Sequence, residues 1–178
     1  MDAGRHLVFF ILESYHKILF MKVSFDFDGT LELGPVQEYA KSLIKRGIEV
    51  WIVTTRYDAN HMHKWLEKFP AHEWAEIYHN HDGDPNFNVW GVAESLGIPR
   101  HHVRFTCMEW KYTYLNGTKF VWHLDDNPEE FSKAKANKCN VPMIQVDANG
   151  WQVKCDRLIQ AWIDTHQTTL IKTEPNDI

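Results

Sequence analysis

Cysteine is scarce in this chain: three among 178 residues, at positions 107, 139 and 155. An odd, dispersed set builds no disulfide framework and fits reduced thiols in a cytoplasmic protein. Long hydrophobic runs are missing too. Leu7 to Leu12 is apolar, but Glu13, His16 and Lys17 break it and no small-residue cleavage site follows, so a secretory signal is not expected. Nothing approaches the roughly 20 apolar residues of a membrane span, so no membrane partner is expected. Excess positive charge is absent: the net charge is -5. That excludes a global attraction for nucleic acid or anionic lipid, while a local basic groove stays open. There is no internal repeat and no low-complexity stretch. What remains is an ordinary globular composition, 44% hydrophobic, in a chain long enough for one domain with a sizeable core.

Residues 1–20 read as an extension upstream of Met21-Lys22-Val23, with an added amphipathic helix as the rival reading. Residues 21–163 form the main domain, and 164–178 a loose tail.

Five apolar runs read as strands: Met21 to Phe25, Glu49 to Val53, His102 to Thr106, Phe120 to Leu124 and Val141 to Val146. Helical patterns lie between them. Pro35 to Arg46 sets Val36, Tyr39, Ala40, Leu43 and Ile44 on one face and stops at Gly47. Asp58 is placed to cap a helix carrying Met62, Trp65, Leu66 and Phe69. Asn88 is placed to cap one carrying Val89, Val92, Ala93 and Leu96. Asn127-Pro128-Glu129-Glu130 combines a cap, a first-turn proline and a capping-box carboxylate. Gln152 to Ile163 is the last helical stretch. Strands alternating with helices imply an α/β fold, a parallel sheet covered on both faces.

The most informative residues follow the first strand: Asp26-Phe27-Asp28-Gly29-Thr30. An unpaired buried carboxylate is costly, and two acids this close need a cation or a shared proton. A helix cap or Asx turn is the alternative use for such residues. The second strand ends in Thr54-Thr55-Arg56, and the fourth in Asp125-Asp126-Asn127. In a parallel sheet, ligands bind at the carboxyl ends of the strands, so Asp26, Thr54 and Asp125 converge on one crevice. Of the two lysines ahead of the fourth strand, Lys119 stands at its amino end. Lys111 follows the third strand's carboxyl end and can reach the acids; a plain surface lysine is the competing reading.

This order of motifs resembles the haloacid dehalogenase-like hydrolase superfamily, from about Met21 to Val146. The resemblance implies a three-layer Rossmann-like fold, a mainly parallel five-stranded sheet of order 5-4-1-2-3, and Mg²⁺-dependent phosphoryl transfer. It further implies that Asp26 is the nucleophile and forms an aspartyl-phosphate. Asp28 would then act as general acid and base. Mg²⁺ would be held by Asp26, the Asp28 carbonyl and one or both of Asp125 and Asp126. Thr54 and Lys111 would hold the phosphoryl group. Dehalogenating members lack an acid at the Asp28 position. Thr55 and Arg56 lie beside Thr54, and Arg56 is suited to fork onto a substrate phosphate, or else is an ordinary surface arginine.

Leu31 leads almost directly into the helix at Pro35, and residues 71–87 are too few for an independent domain. No separate cap domain is expected. An open site suits a phosphate at the end of a large molecule, or a small substrate covered by a neighbouring subunit in a homo-oligomer. The narrower reading is a nucleotide or nucleic-acid-end phosphatase; the reading from another class is a phospho-accepting signalling module, whose acids would come in a different order. The stretch His79-Asn80-His81-Asp82 lacks a second ligand pair for zinc and reads as a surface loop near the mouth. Trp110 and Trp122 border site residues, but packing is the expected role of most of the eight tryptophans.

Overall fold

The computed structural model describes residues 21–146 and 150–171, the side chains of 167–171 excepted. Residues 1–20, Asp147 and the end of the tail lie outside the described residues.

Five parallel strands form one sheet in the order β3-β2-β1-β4-β5. They are β1 (Lys22–Phe25), β2 (Glu49–Thr54), β3 (Val103–Phe105), β4 (Phe120–Asp125) and β5 (Met143–Gln145). The order is the one implied by the family resemblance, and every pairing is parallel. Helices surround the sheet: α1 (Gly34–Lys45), α2 (Ala59–Lys68), α3 (Trp74–Asn80), α4 (Phe87–Leu96), α5 (Lys111–Leu115), α6 (Pro128–Ala136) and α7 (Trp151–Ile171). The architecture is an α/β, Rossmann-like three-layer fold.

Side chains alternate across each strand, so one register decides which residues share a face. Phe25 pairs with Ile52 and with Leu124. This face carries the main core, where Val23, Phe25, Ile52, Trp122 and Leu124 meet Val36, Tyr39 and Leu43 of α1, Val89 and Ala93 of α4, and Trp151, Cys155 and Ile159 of α7. The buried positions of α1 recur at helical spacing, and a proline in its first turn needs no amide partner. The opposite face holds a smaller cluster of Val53, Phe120, Leu115 and Val141. On the Phe25 face, Trp122 is fully buried in the main core, edge-on to Phe25 at 5.2 Å. Trp110 packs under the Lys133 ammonium at 5.0 Å. Both tryptophans serve packing.

Most element ends shift from the sequence reading, the fifth strand shortening to Met143–Gln145, and three of the shifts have a visible cause. Helix α4 starts at Phe87, with Asn86 in the cap position. Asn88 is therefore inside the first turn, where its Oδ1 accepts from the Val89 amide and from Arg56. Helix α7 runs to Ile171 instead of stopping at Ile163. Hydrogen bonds between residues one turn apart carry it on: Gln160 to Asp164 at 2.8 Å and Thr165 to the Ala161 carbonyl at 2.8 Å. Strand β3 begins at Val103 because Arg100–His102 forms a 3₁₀ turn. Residues 71–87 build the short helix α3 and turns, not a separate unit.

Candidate active site at the carboxyl end of the sheet

The parallel ladder between β1 and β4 continues past Phe25, because the Asp26 amide donates to the Leu124 carbonyl at 2.8 Å. That bond fixes where Asp26 leaves the sheet. Asp125 ends β4 beside it. Asp26, Asp125 and Asp126 each offer a carboxylate oxygen within 4.8 Å of the others. Asp26 and Asp125 are buried, and Asp126 is exposed.

Lys111 opens α5 and lies 2% exposed. Its Nζ bridges the two buried acids, 2.9 Å from Asp26 Oδ1 and 2.8 Å from Asp125 Oδ2. Its amide donates to Glu130 Oε2 at 3.1 Å, which ties the start of α5 to α6. Burial alone would lower the Lys111 pKa, but the charges of Asp26 and Asp125 outweigh it and raise the pKa, keeping the ammonium.

Burial pushes Asp26 up to about 7, with the Asp125 charge adding to the rise and Lys111 opposing it. Burial acts upward on Asp125 as well, but His123 and Lys111 together pull it well below the usual carboxylate range. The two acids are thereby differentiated: Asp125 is held as the anion, and Asp26 sits close to its titration point.

The histidine responsible was not singled out from the sequence. His123 is completely buried in β4, paired in register with Ser24 of β1. Its Nδ1 is 3.0 Å from Ser24 Oγ and its Nε2 3.1 Å from Asp125 Oδ2. Burial lowers its pKa and favours the neutral ring. A neutral ring satisfies both contacts when Nε2 donates to Asp125 and Nδ1 accepts the Ser24 hydroxyl proton. A polar residue inside the apolar run Phe120 to Leu124 was the available signal. A buried serine opposite it in β1 could be found only through the register.

Past Asp26 the chain turns sharply. Asp28 adopts an extended conformation and Gly29 a φ of 69° inside a single irregular turn over Phe27–Leu31. A β-carbon on Gly29 would collide with the Asp126 carboxylate. Glycine is required twice, by its backbone angle and by this approach. Thr30, fully buried, reaches Asp126 Oδ1 at 3.4 Å.

Asp28 is not one of the three clustered acids and is held by Arg56. The Arg56 Nε donates to Asp28 Oδ2 at 2.8 Å and its Nη2 to Asp28 Oδ1. Its Nη1 donates to Asn88 Oδ1 at 2.7 Å. Arg56, for which the sequence offers either a substrate phosphate or an ordinary surface position, here holds a carboxylate. Thr54 is fully buried at the end of β2, where its Oγ1 accepts from the Arg56 amide at 3.4 Å. Thr55 lies in the wall of a cavity beside Asp28.

The donor set of the three-acid cluster is all oxygen and anionic, which fits a hard divalent cation such as Mg²⁺. A second group within ligand distance, Asp58, His61 and Cys107, forms at the start of α2. There Asp58 caps the helix, accepting from the His61 amide at 2.8 Å. His79, His81 and Asp82 belong to no such group among the described residues; His81 stacks on Phe87 at 3.6 Å. No helix among the described residues is long and apolar enough to cross a membrane. Protein-family models, curated proteins and solved structures gave no match to this chain.

Proposed function

We propose that the protein is a divalent-cation-dependent phosphomonoester hydrolase, working through an aspartyl-phosphate on Asp26 as in the haloacid dehalogenase-like family. One observation carries the reading: acids from two distant stretches of chain lie within 4.8 Å of one another around a buried lysine. Such a cluster is costly to bury as a purely structural feature. It suits a reaction whose main demand is neutralising phosphoryl charge.

Asp26, Asp125 and Asp126 would hold the cation, which supplies charge neutralisation to the phosphoryl oxygens and the nucleophile. Asp26 Oδ attacks phosphorus in line; the new P–O bond forms as the ester P–O bond breaks. Asp28, in its protonated form, would give its proton to the departing oxygen. It then takes a proton from water as that water attacks the aspartyl-phosphate, releasing phosphate and restoring Asp26. Lys111 balances the charge gathered on Asp26 and Asp125, and Thr54 stands at the neighbouring strand end to donate to the phosphoryl group. Three free cysteines among the described residues suit a cytoplasmic setting.

The test is hydrolysis of p-nitrophenyl phosphate by purified protein with Mg²⁺ and with EDTA. Turnover that needs the cation and vanishes in Asp26→Asn supports the reading. Turnover indifferent to EDTA, or kept by Asp26→Asn, overturns it. Stable phosphorylation by acetyl phosphate without release would favour a phospho-accepting module instead.

A further inference from the structure

A cavity of about 450 Å³ opens beside Asp28, which lines it together with Arg56. The acid that protonates the leaving oxygen stands at its edge, so whatever follows that oxygen extends into this space.

The walls are aromatic and sulfur-bearing: Tyr57, Trp65, Trp74 and Met108 line the cavity. Trp65 is pre-positioned, stacked on Tyr57 with ring centres 6.2 Å apart and edge-on to His72 at 4.7 Å. Two polar groups at the wall already have partners. Arg56 is clamped on Asp28, and the Asn86 amide donates to the Tyr57 carbonyl at 2.8 Å.

Met108 adds an independent sign. Cys107 and Met108 have φ of 54° and 67°, two successive non-glycine residues in the left-handed region. The turn is pinned by the Met108 amide on the Thr55 carbonyl at 2.6 Å and the Cys107 amide on the Arg56 carbonyl at 3.1 Å. It holds the Met108 thioether at the cavity with 66% of the residue exposed. Strained backbone presenting a bare, polarisable side chain beside aromatic walls is characteristic of ligand contact.

Resting on the phosphatase reading, we infer that this cavity binds the leaving group and selects phosphomonoesters that carry a flat aromatic ring system. Aryl phosphates and nucleoside monophosphates share that chemistry. Losing a stacking tryptophan is expected to cost roughly fivefold to a hundredfold in kcat/KM.

The experiment compares phenyl phosphate, adenosine monophosphate and glycerol phosphate with Mg²⁺ in wild type, Trp74→Ala, Trp74→Phe and Trp65→Leu. The expected result is that the preference for at least one aromatic substrate over glycerol phosphate falls roughly fivefold or more in Trp74→Ala and Trp65→Leu, mostly through KM. Trp74→Phe restores it. The better aromatic substrate identifies the source. A preference unchanged by these variants overturns the inference and leaves the phosphatase reading standing. Calorimetric titration of Asp26→Asn with the same three compounds separates the two further. Aromatic binding that disappears in Asp26→Asn/Trp74→Ala, from a wild type with no turnover, keeps the cavity and removes the phosphatase. Neither binding nor turnover removes both.

Discussion

Arg56 grips Asp28 with a two-pronged fork, Nε at 2.8 Å from Oδ2 and Nη2 on Oδ1. Its own position is set from behind by Asn88 at 2.7 Å and by the Phe27 ring at 4.9 Å. Arginine makes this planar, bidentate contact and lysine does not. The side chain is 15% exposed against 49% for Asp28, so the arginine is the fixed partner and the acid the one it orients.

Arg56→Lys is therefore expected to lower kcat by about tenfold, and Arg56→Ala by about a hundredfold, as a general acid loses its aim. Steady-state kinetics on an alkyl phosphate check this. A rise in KM alone would return Arg56 to the role of phosphate ligand.

Asp28→Asn is expected to cost about 10²–10⁴ in kcat on alkyl phosphates, the usual contribution of a positioned acid. The loss should be smaller on p-nitrophenyl phosphate, whose leaving oxygen departs without a proton. Equal losses on both substrates would contradict the acid role.

Lys111→Met leaves Asp26 and Asp125 buried without their shared cation. Breaking a buried ion pair from one side costs about 3–5 kcal/mol, so the melting temperature should fall steeply in EDTA. Added Mg²⁺ should recover much of the loss if the three acids bind it. Melting curves with and without Mg²⁺ measure both effects, and a loss that Mg²⁺ leaves untouched would count against the cation site.

Gly29→Ala meets the Asp126 carboxylate and must adopt a φ of 69°. The backbone cost alone is about 1–2 kcal/mol. Denaturant titration should register that loss, and calorimetry should show weaker Mg²⁺ binding as Asp126 is displaced. Unaltered Mg²⁺ affinity would place Asp126 outside the cation site.

His102 supplies a pH dependence away from the acids. Burial lowers its pKa below 6.5, with His101 and Lys22 adding to the effect and Glu49, 3.3 Å away, opposing it. The unfolded chain thus binds the proton first. Stability from this group is complete above pH 6.5 and is lost as the pH falls from there through the lower folded value. Melting temperatures between pH 7.5 and 5.5 should decline less steeply in His102→Gln than in wild type.

Much of the fold was legible because strand and helix periodicities are local properties. The runs ending at Phe25, Val53 and Leu124 mark the three central strands, and each terminates in polar residues. The ends of elements were less legible. Asn88 has the residue type of a cap, yet its amide oxygen is taken by Arg56, a partner from another stretch of chain. Helix α7 outlasts its apolar pattern because polar side chains bond along its exposed face.

Sequence alone determined the alternation of elements and the residue types at the strand ends, since both follow from short-range sterics and the cost of burying charge. It determined the order of the acids, the threonine and the lysine along the chain. Only the tertiary structure decided which of them touch. The register of β1 on β4 set Ser24 beside His123 and Asp26 beside Asp125, and so divided the two acids into one firmly ionised and one near its titration point. Packing of α4 against the loop after β2 turned Arg56 onto Asp28. Such pairings depend on distances between residues remote in the chain, and no local pattern encodes them.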